Sequence, residues 1–326
     1  MRFALMIEAQ QGLSYEELLG LARRAEAGGF EAFFRSDHYS SFPGPVGMRT
    51  TDAWAVLAGL ARETATIRLG ALVSPVTFRY PGNLAKVVTT VDEMSGGRIE
   101  VAVGAGWNEL EHRQHGLPFP PIEVRAEMLE EELAILHGLW TEPDGWSFQG
   151  RHYTLEDAHF QPKPVDAPSR PRARNGAVRP RIILGGEGKP RSMRMAARFA
   201  DEFNVTSATP DRVADRYARL DAECEAIGRD PATMARSAMV GVLIGATEDD
   251  VARRVAAMMK VMGEGSGTEA WLAARRERWI MGTPDDARAM IRRFAEAGVE
   301  RIMLQDFLPW DLEMVELMAQ ELVGKA

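Results

Sequence analysis

Asp37 and His38 place a carboxylate beside an imidazole in the string SDHY at 36–39, directly after a run of strand type at Glu31–Arg35. An imidazole that titrates near neutral pH can donate or accept a proton, and the pair could bind the polar edge of a ring. Serine and aspartate are also common in turns, where they hydrogen-bond the local backbone. The pair therefore predicts either a functional site at a strand end or an ordinary turn.

Small residues follow another run of strand type, Ile99–Val103, in the string GAGWN at 104–108. Glycine and alanine there would let a flat ring approach the backbone, and Trp107 could form a wall of a pocket. Asn108 can donate and accept hydrogen bonds, which suits the hydroxyls of a ribityl-like chain. Glu109 stands where a dinucleotide fingerprint has its third glycine, so this string is not that fingerprint.

A third candidate is the string GGEG at 185–188, which is followed by a helix that carries Lys189, Arg191 and Ser192. A glycine-rich turn into a helix exposes backbone N–H groups at the positive end of the helix dipole, which suits a phosphate. The string lacks the GxxxxGK[ST] pattern of a Walker loop. A tight turn with solvated cations is the alternative. The segment Val73–Pro75 similarly fits either a backbone held against a ligand or a plain turn.

Several other chemistries lack their residues. Cys224 is the only cysteine, so a disulfide framework and a thiolate metal site are excluded. His112 and His115 lack an HExxH frame or further spaced ligands, so we predict no metal. The net charge of −8 argues against nucleic acid, and no apolar run is long enough to cross a membrane. With a polar N-terminus that does not read as a secretory signal, we expect a cytoplasmic protein.

The elements that must position these residues alternate between strand and helix type, which predicts βαβ units and a parallel sheet. The predicted strands are Phe3–Ile7, Glu31–Arg35, Ile67–Val73, Ile99–Val103, Arg181–Leu184, Glu202–Val205, Ser237–Ile244 and Arg301–Leu304. Eight strands fit a closed (β/α)8 TIM barrel better than an open sheet. In such a barrel the chemistry sits at the C-terminal ends of the strands, where the strings above lie.

We predict one domain over residues 1–326, with insertions after the fourth strand, at about 108–180, and after the seventh, at about 246–282. The first insertion is expected to hold one helix, Glu123–Trp140, and a proline-rich surface loop at 161–180. The second is expected to be a long helix over 248–280, rich in arginine and methionine.

Taken together, the sequence resembles the luciferase-like monooxygenase superfamily, especially its branch that uses the deazaflavin coenzyme F420. The resemblance is carried by SDHY at 36–39, by the string at 66–112, by GLPFP at 116–120 and by the string at 181–201. It implies that a flavin or deazaflavin stacks in the mouth of the barrel and that Val73–Ser74 is a non-prolyl cis peptide. The residues that it implies for cofactor binding are Asp37, His38, Val73, Ser74, Ala105, Gly106, Asn108, Gly185, Gly186 and Glu187.

The implied activity is hydride transfer between C5 of F420 and a small organic substrate, with His38 as the catalytic residue. Trp107 occupies the place where the sugar-phosphate dehydrogenases of this branch have an acidic glutamate, so an alkene, imine or carbonyl fits better. An FMN-dependent monooxygenase that uses O2 is the alternative, and a non-catalytic flavin- or deazaflavin-binding protein is a second one. The resemblance also implies a homodimer and a separate reductase that recycles the cofactor.

Overall fold

The computed structural model describes residues 1–168, 170–173, 175–263 and 268–325. Its strands are β1 (Arg2–Ile7), β2 (Ala32–Arg35), β3 (Arg68–Pro75), β4 (Ile99–Gly104), β5 (Trp146–Gln149), β6 (Thr154–Ala158), β7 (Arg181–Gly186), β8 (Glu202–Thr206), β9 (Ala235–Ile244), β10 (Ile280–Gly282) and β11 (Arg301–Asp306). Its helices are α1 (Tyr15–Ala27), α2 (Ala53–Glu63), α3 (Pro81–Ser95), α4 (Glu109–His115), α5 (Ile122–Thr141), α6 (Pro190–Phe199), α7 (Pro210–Ala226), α8 (Glu248–Met262), α9 (Thr268–Arg276), α10 (Pro284–Glu296) and α11 (Leu312–Glu321).

Eight parallel strands close into a barrel in the order β1, β2, β3, β4, β7, β8, β9 and β11, and β11 pairs back with β1. Arg2 lies opposite Arg301 where the barrel closes. Helices lie between successive strands, so the predicted (β/α)8 TIM barrel is confirmed. The strands are buried on both faces, which explains why they appear in the sequence as nearly continuous apolar runs.

Local signals in the sequence fix where the helices begin. Ser14 caps α1 by accepting from the backbone N–H of Glu17, and the Glu17 side chain accepts from the backbone N–H of Ser14, so the two residues form a capping box. Asp52 caps α2 in the same manner through the N–H of Ala55. These caps fix the points at which the chain leaves the barrel and turns into the outer layer of helices.

A buried ion network closes the barrel at the N-terminal ends of the strands. The guanidinium of Arg301 donates to Glu100 at 2.8 Å and to Glu202 at 2.7 and 3.1 Å, and all three side chains are buried. Burial opposes the charge of Arg301, but the two carboxylates outweigh it and raise the pKa of the guanidinium. This end of the barrel is therefore filled by paired charges.

The first insertion contains more structure than the sequence predicted. Besides α5 it has the short helix α4 and an antiparallel hairpin of β5 and β6. The hairpin packs on α5, because the ring of Trp146 lies so close to Gly138 that a Cβ there would be 2.2 Å from it. In the described part of residues 161–180, the only strand-like pairing is an isolated bridge between Arg172 and Val178.

The prediction of one long helix over 248–280 was wrong. The segment forms two helices, α8 and α9, and then enters β10 at Ile280. Gly263 ends α8 in the left-handed conformation. The apolar run at Ile280 pairs instead with the last residues of β9, with Ile280 opposite Val242. Throughout the described residues, every helix is too short or too polar to cross a membrane.

Candidate active site

A cavity of about 610 Å³ opens at the C-terminal ends of the barrel strands. Such volumes are typical of pockets for cofactors and small molecules, and this end is where barrel enzymes place their chemistry. A second groove, of about 740 Å³, lies among α8, α9, β10 and α10 on the outside of the barrel. Because the predicted residues cluster at the strand ends, the first cavity is the candidate active site.

Six of the ten predicted cofactor-binding residues line this cavity: His38, Val73, Ala105, Gly106, Gly185 and Gly186. They come from the ends of β2, β3, β4 and β7, four adjacent strands of the barrel. The other four, Asp37, Ser74, Asn108 and Glu187, do not contribute to its lining. The structure thus brings the four predicted segments together around one space, although not every residue of each segment faces it.

Glycine backbone forms one side of the cavity. Gly106 has φ of +77°, a conformation that side chains rarely adopt, and a Cβ there would lie 3.1 Å from the Thr77 hydroxyl. A Cβ at Gly185 would lie 3.0 Å from the carbonyl oxygen of Asn204. The bare backbone at these positions lets a flat ring or a phosphate approach closely.

The cis peptide lies one residue earlier than the resemblance implies. It joins Leu72 to Val73, not Val73 to Ser74. The pairing of β3 with β4 is irregular between Ala71 and Ser74, so the bond falls within the interruption of the ladder. Ser74 itself accepts a hydrogen bond from the indole N–H of Trp54 at 2.9 Å and is buried behind the cavity wall.

His38 lies at the cavity wall and is held on three sides. The carboxylate oxygens of Glu111 lie 3.0 and 3.1 Å from its Nδ1. The rings of Phe42 and Trp107 contact the imidazole edge-on, with centroids at 4.5 and 5.8 Å. His38 therefore has a fixed orientation, with one nitrogen already paired to a carboxylate.

Asp37 points away from the cavity into a buried ion network. It accepts from Arg79 at 2.6 Å, and Arg79 also contacts Asp52 at 2.5 Å. Burial raises the pKa of Asp37, and the charge of Arg79 only partly opposes that change. This network anchors the turn at 36–39 and so holds the backbone that carries His38.

The two remaining predicted residues lie at helix starts. Asn108 precedes α4, and its carbonyl oxygen is 2.7 Å from Nδ1 of His112. Glu187 is exposed in the turn before α6. Ser192, in the first turn of α6, donates its hydroxyl to the carbonyl of Lys189 at 2.8 Å. The N-terminus of α6 follows the Gly185–Gly186 wall, which is the arrangement that suits an anionic group.

The far side of the cavity is built by the second insertion and by the end of β11. Trp279 stacks on Phe307 with centroids 5.5 Å apart and ring planes 7° apart, and both line the cavity. Met262, Arg275 and Arg278 also line this side. An aromatic wall that carries two arginines therefore faces the glycine wall across the cavity.

The sequence matches the luciferase-like monooxygenase family over residues 1–301. The chain belongs to this family. An F420-dependent glucose-6-phosphate dehydrogenase of Nakamurella multipartita is 32% identical over 208 residues, which cover 63% of this chain and 56% of that protein. A pyrimidine monooxygenase, RutA, of Stutzerimonas stutzeri is 28% identical over 248 residues, which cover 74% of this chain and 63% of that protein.

Among solved structures, an F420-dependent secondary alcohol dehydrogenase in complex with an F420–acetone adduct has the same fold. Its TM-score is 0.80 at 21% identity, and the match covers 99% of this chain and 98% of that one. The luciferase-like relatives thus include both F420-dependent oxidoreductases and monooxygenases.

Two carboxylates of this luciferase-like site were missed in the sequence. Glu8 accepts from the amides of Gln10 at 2.7 Å and Gln305 at 2.5 Å, and it lines the cavity next to the end of β1. Glu111 lines the cavity from α4. Position at a strand end was an available signal for Glu8, whereas Glu111 lies inside a helix that the sequence did not reveal.

Proposed function

We propose that the protein is an F420-dependent oxidoreductase that transfers hydride between C5 of the deazaflavin and a small organic substrate. The observation that carries the proposal is the convergence of His38, Val73, Gly106 and Gly186 on one cavity. The family includes an F420-dependent relative that is 32% identical over 208 residues, which supports the choice of cofactor.

The residues present fit such a cofactor. Ala105, Gly106 and the cis-linked Val73 would lie against the tricyclic ring, where the bare backbone allows close contact. Gly185 and Gly186, with the N-terminus of α6, would hold the phosphate. Asn108 and Glu187 remain proposed contacts of the cofactor, whereas the side chains of Asp37 and Ser74 are buried behind the wall and would act by holding the backbone that faces it.

His38 would exchange a proton with the substrate, because an imidazole can act as acid or base near neutral pH. F420 supplies hydride chemistry at C5 when it is bound. Trp107 and Phe42 flank the imidazole, so the substrate atom that meets His38 lies in apolar surroundings. We therefore propose a carbonyl, imine or alkene, or the corresponding reduced compound, as the substrate class.

Titration of the purified protein with oxidised F420 and, separately, with FMN tests the cofactor directly. We expect F420 fluorescence to change saturably and FMN fluorescence to change little. Gly186→Leu should weaken F420 binding by at least about tenfold, since a side chain would occupy the cavity wall, whereas Gly228→Leu, at a turn outside the cavity, should not. Saturable binding of FMN and not of F420 would favour the FMN-dependent monooxygenase. If the protein binds neither cofactor, both proposals are wrong.

The alternative is an FMN-dependent monooxygenase that uses O2, and it is supported by the pyrimidine monooxygenase relative. Oxygen consumption in the presence of reduced FMN and candidate substrates would favour it. A third possibility is a barrel that binds the cofactor without turnover, which tight binding with no redox activity across a substrate panel would favour. We also propose a homodimer in the cytoplasm, served by a separate reductase that recycles the cofactor; light scattering tests the dimer.

A further inference from the structure

Glu111 connects the imidazole of His38 to α4. One of its carboxylate oxygens lies 3.1 Å from Nδ1 of His38 and also accepts the backbone N–H of Tyr39 at 3.1 Å. The other oxygen lies 3.0 Å from the same Nδ1. The Glu111 side chain is only 1% exposed, so this pairing is shielded from bulk water. A shielded carboxylate bound to one ring nitrogen controls which nitrogen carries the proton.

We propose that Glu111 is a positioning residue for His38. It holds the ring in the tautomer that has a proton on Nδ1, so that Nε2 is directed to the substrate, and it supplies the negative charge that balances an imidazolium. The proposal rests on the proposed function, because it assigns His38 the proton transfer of that reaction. Glu111 is 73 positions from His38 in the chain and lies outside the motif at 36–39.

The surroundings of His38 leave Nε2 as the nitrogen available for substrate. Phe42 and Trp107 contact the ring edge-on, which restricts its rotation about χ2. Within the described part of the chain, Nε2 has no hydrogen-bond partner, whereas Nδ1 has two oxygens within 3.1 Å. A flip of the ring about χ2 would put Cδ2 where Nδ1 now pairs with Glu111, so the carboxylate favours the observed orientation of the ring.

The same arrangement serves both directions of the reaction. With an alcohol as substrate, bound deazaflavin would supply the hydride acceptor, and the proton of the O–H group would pass to the lone pair of Nε2. When a carbonyl is reduced, its carbon gains hydride and its oxygen takes the proton from Nε2. Glu111 keeps its charge in both cases, since it stabilises the imidazolium without accepting the proton itself.

Glu111→Gln keeps the shape of the side chain but removes its charge. A carboxylate can only accept from Nδ1, whereas the glutamine amide can accept from a protonated Nδ1 through its oxygen or donate to an unprotonated Nδ1 through its NH2 group, so it no longer selects one tautomer. Glu111→Asp keeps the charge on a shorter side chain. The matched control is Glu109→Gln, because Glu109 lies on the same helix, is exposed and pairs only with Arg113 at 3.5 Å among the described residues.

The first measurement is the ¹⁵N NMR spectrum of the His38 side chain between pH 5 and 8, recorded on the full protein without cofactor and assigned with His38→Gln. For the wild type and Glu109→Gln, we expect the neutral form to be one tautomer, with the proton on Nδ1. In Glu111→Gln we expect a mixture of the two neutral tautomers. Glu111→Asp should behave more like the wild type.

The second measurement is turnover with F420 and a panel of small alcohols and ketones. We expect Glu111→Gln to lower kcat about 10- to 100-fold with little change in F420 affinity. NMR spectra of His38 that are the same in Glu111→Gln and in the wild type would overturn the proposal. The NMR result does not require turnover, so the expected spectra without activity on any substrate would contradict the proposed function and not the role of Glu111.

Discussion

His38 is the residue on which the proposed chemistry depends most, and its substitution tests that dependence. We expect His38→Ala to lower kcat by about 10²- to 10³-fold, the usual contribution of a general acid or base. F420 affinity should change little, because the contacts proposed for the cofactor are mainly with the backbone at Gly106 and Gly186. Steady-state kinetics and F420 titration measure the two effects.

The control for this substitution is His159→Ala, since His159 is exposed and pairs only with Asp144 and Asp157 among the described residues. We expect that variant to match the wild type in both measurements. If His38→Ala turns over substrate as fast as His159→Ala does, His38 takes no part in proton transfer.

Glu132 gives a prediction about stability that is separate from catalysis. Both of its carboxylate oxygens are buried in α5 without a hydrogen-bond partner among the described residues. Burial raises the pKa of Glu132 to about 8, and the charge of Arg79 only slightly opposes that change. The folded protein therefore keeps this group protonated at pH values where the unfolded chain has already ionised.

The free energy of unfolding depends on pH because Glu132 ionises at different pH values in the folded and unfolded states. Between about pH 4.5 and 8 the unfolded chain is stabilised by ionisation of Glu132, so the free energy of unfolding falls by about 1.4 kcal/mol for each pH unit. At pH 7 the buried Glu132 lowers the free energy of unfolding by an amount on the order of 3 kcal/mol. We expect Glu132→Gln to remove this slope, as measured by urea denaturation between pH 5 and 8. Glu130→Gln, at a partly exposed position of the same helix, should keep it; equal slopes in the two variants would contradict the prediction.

At the scale of elements, the first insertion supports the glycine wall of the cavity. Arg125 of α5 donates to the carbonyl of Gly106 at 2.7 Å, and its guanidinium stacks on the ring of Phe119 at 3.7 Å. We expect Arg125→Met to weaken F420 binding by about tenfold, because a partly buried carbonyl loses its donor, at a cost of about 1 kcal/mol, and the loop loses its anchor.

Fluorescence titration measures this effect, and thermal unfolding shows that the variant is folded. Arg113→Met is the matched control, because Arg113 is exposed on α4 and pairs with Glu109. Unchanged F420 affinity in Arg125→Met would show that the loop at 104–106 holds its shape without α5.

The elements that the sequence predicted differ from those it missed in what stabilises them. The barrel strands are apolar runs bounded by caps and glycines, so each one is visible locally. The β5–β6 hairpin and β10 are short and depend on contacts with distant residues, such as Trp146 on Gly138 and Ile280 beside Val242. Their formation is decided by tertiary packing, which a local pattern does not contain.

The same distinction applies to the site. The string at 36–39 identified His38, and the glycine strings identified the cavity wall, because each is contiguous in the chain. The partner of His38 could not be read in this way, since Glu111 belongs to α4 and meets His38 only in the folded barrel. Asp37 is the opposite case. It is adjacent to His38 in the sequence, but its side chain points to Arg79 and away from the cavity.

At the scale of the whole molecule, the barrel has a cavity at one end and, at the other, the buried ion network of Arg301, Glu100 and Glu202, which we call the charged plug. Burial opposes ionisation of Glu100, but Arg301 outweighs it and lowers the pKa of that carboxyl. Glu202 shares the same guanidinium. The two carboxylates have little access to water, and without Arg301 they would keep only the longer contacts with Arg68 and Arg181, at 3.7 to 3.8 Å.

We therefore expect Arg301→Met to destabilise the protein by about 3–5 kcal/mol near neutral pH. The difference in stability between the variant and the wild type should be smaller at low pH. The carboxylates of the variant can then become protonated, and the wild type loses the contribution of Glu100 below the pKa of that group in the unfolded chain. Urea denaturation at pH 5 and 8 measures both quantities. Arg2→Met is the control, since Arg2 lies at the same end but is partly exposed. An equal cost for the two variants would mean that the plug does not stabilise the barrel.

Arg301→Met protein that remains folded should bind F420 with wild-type affinity, because the plug and the cavity lie at opposite ends of the strands.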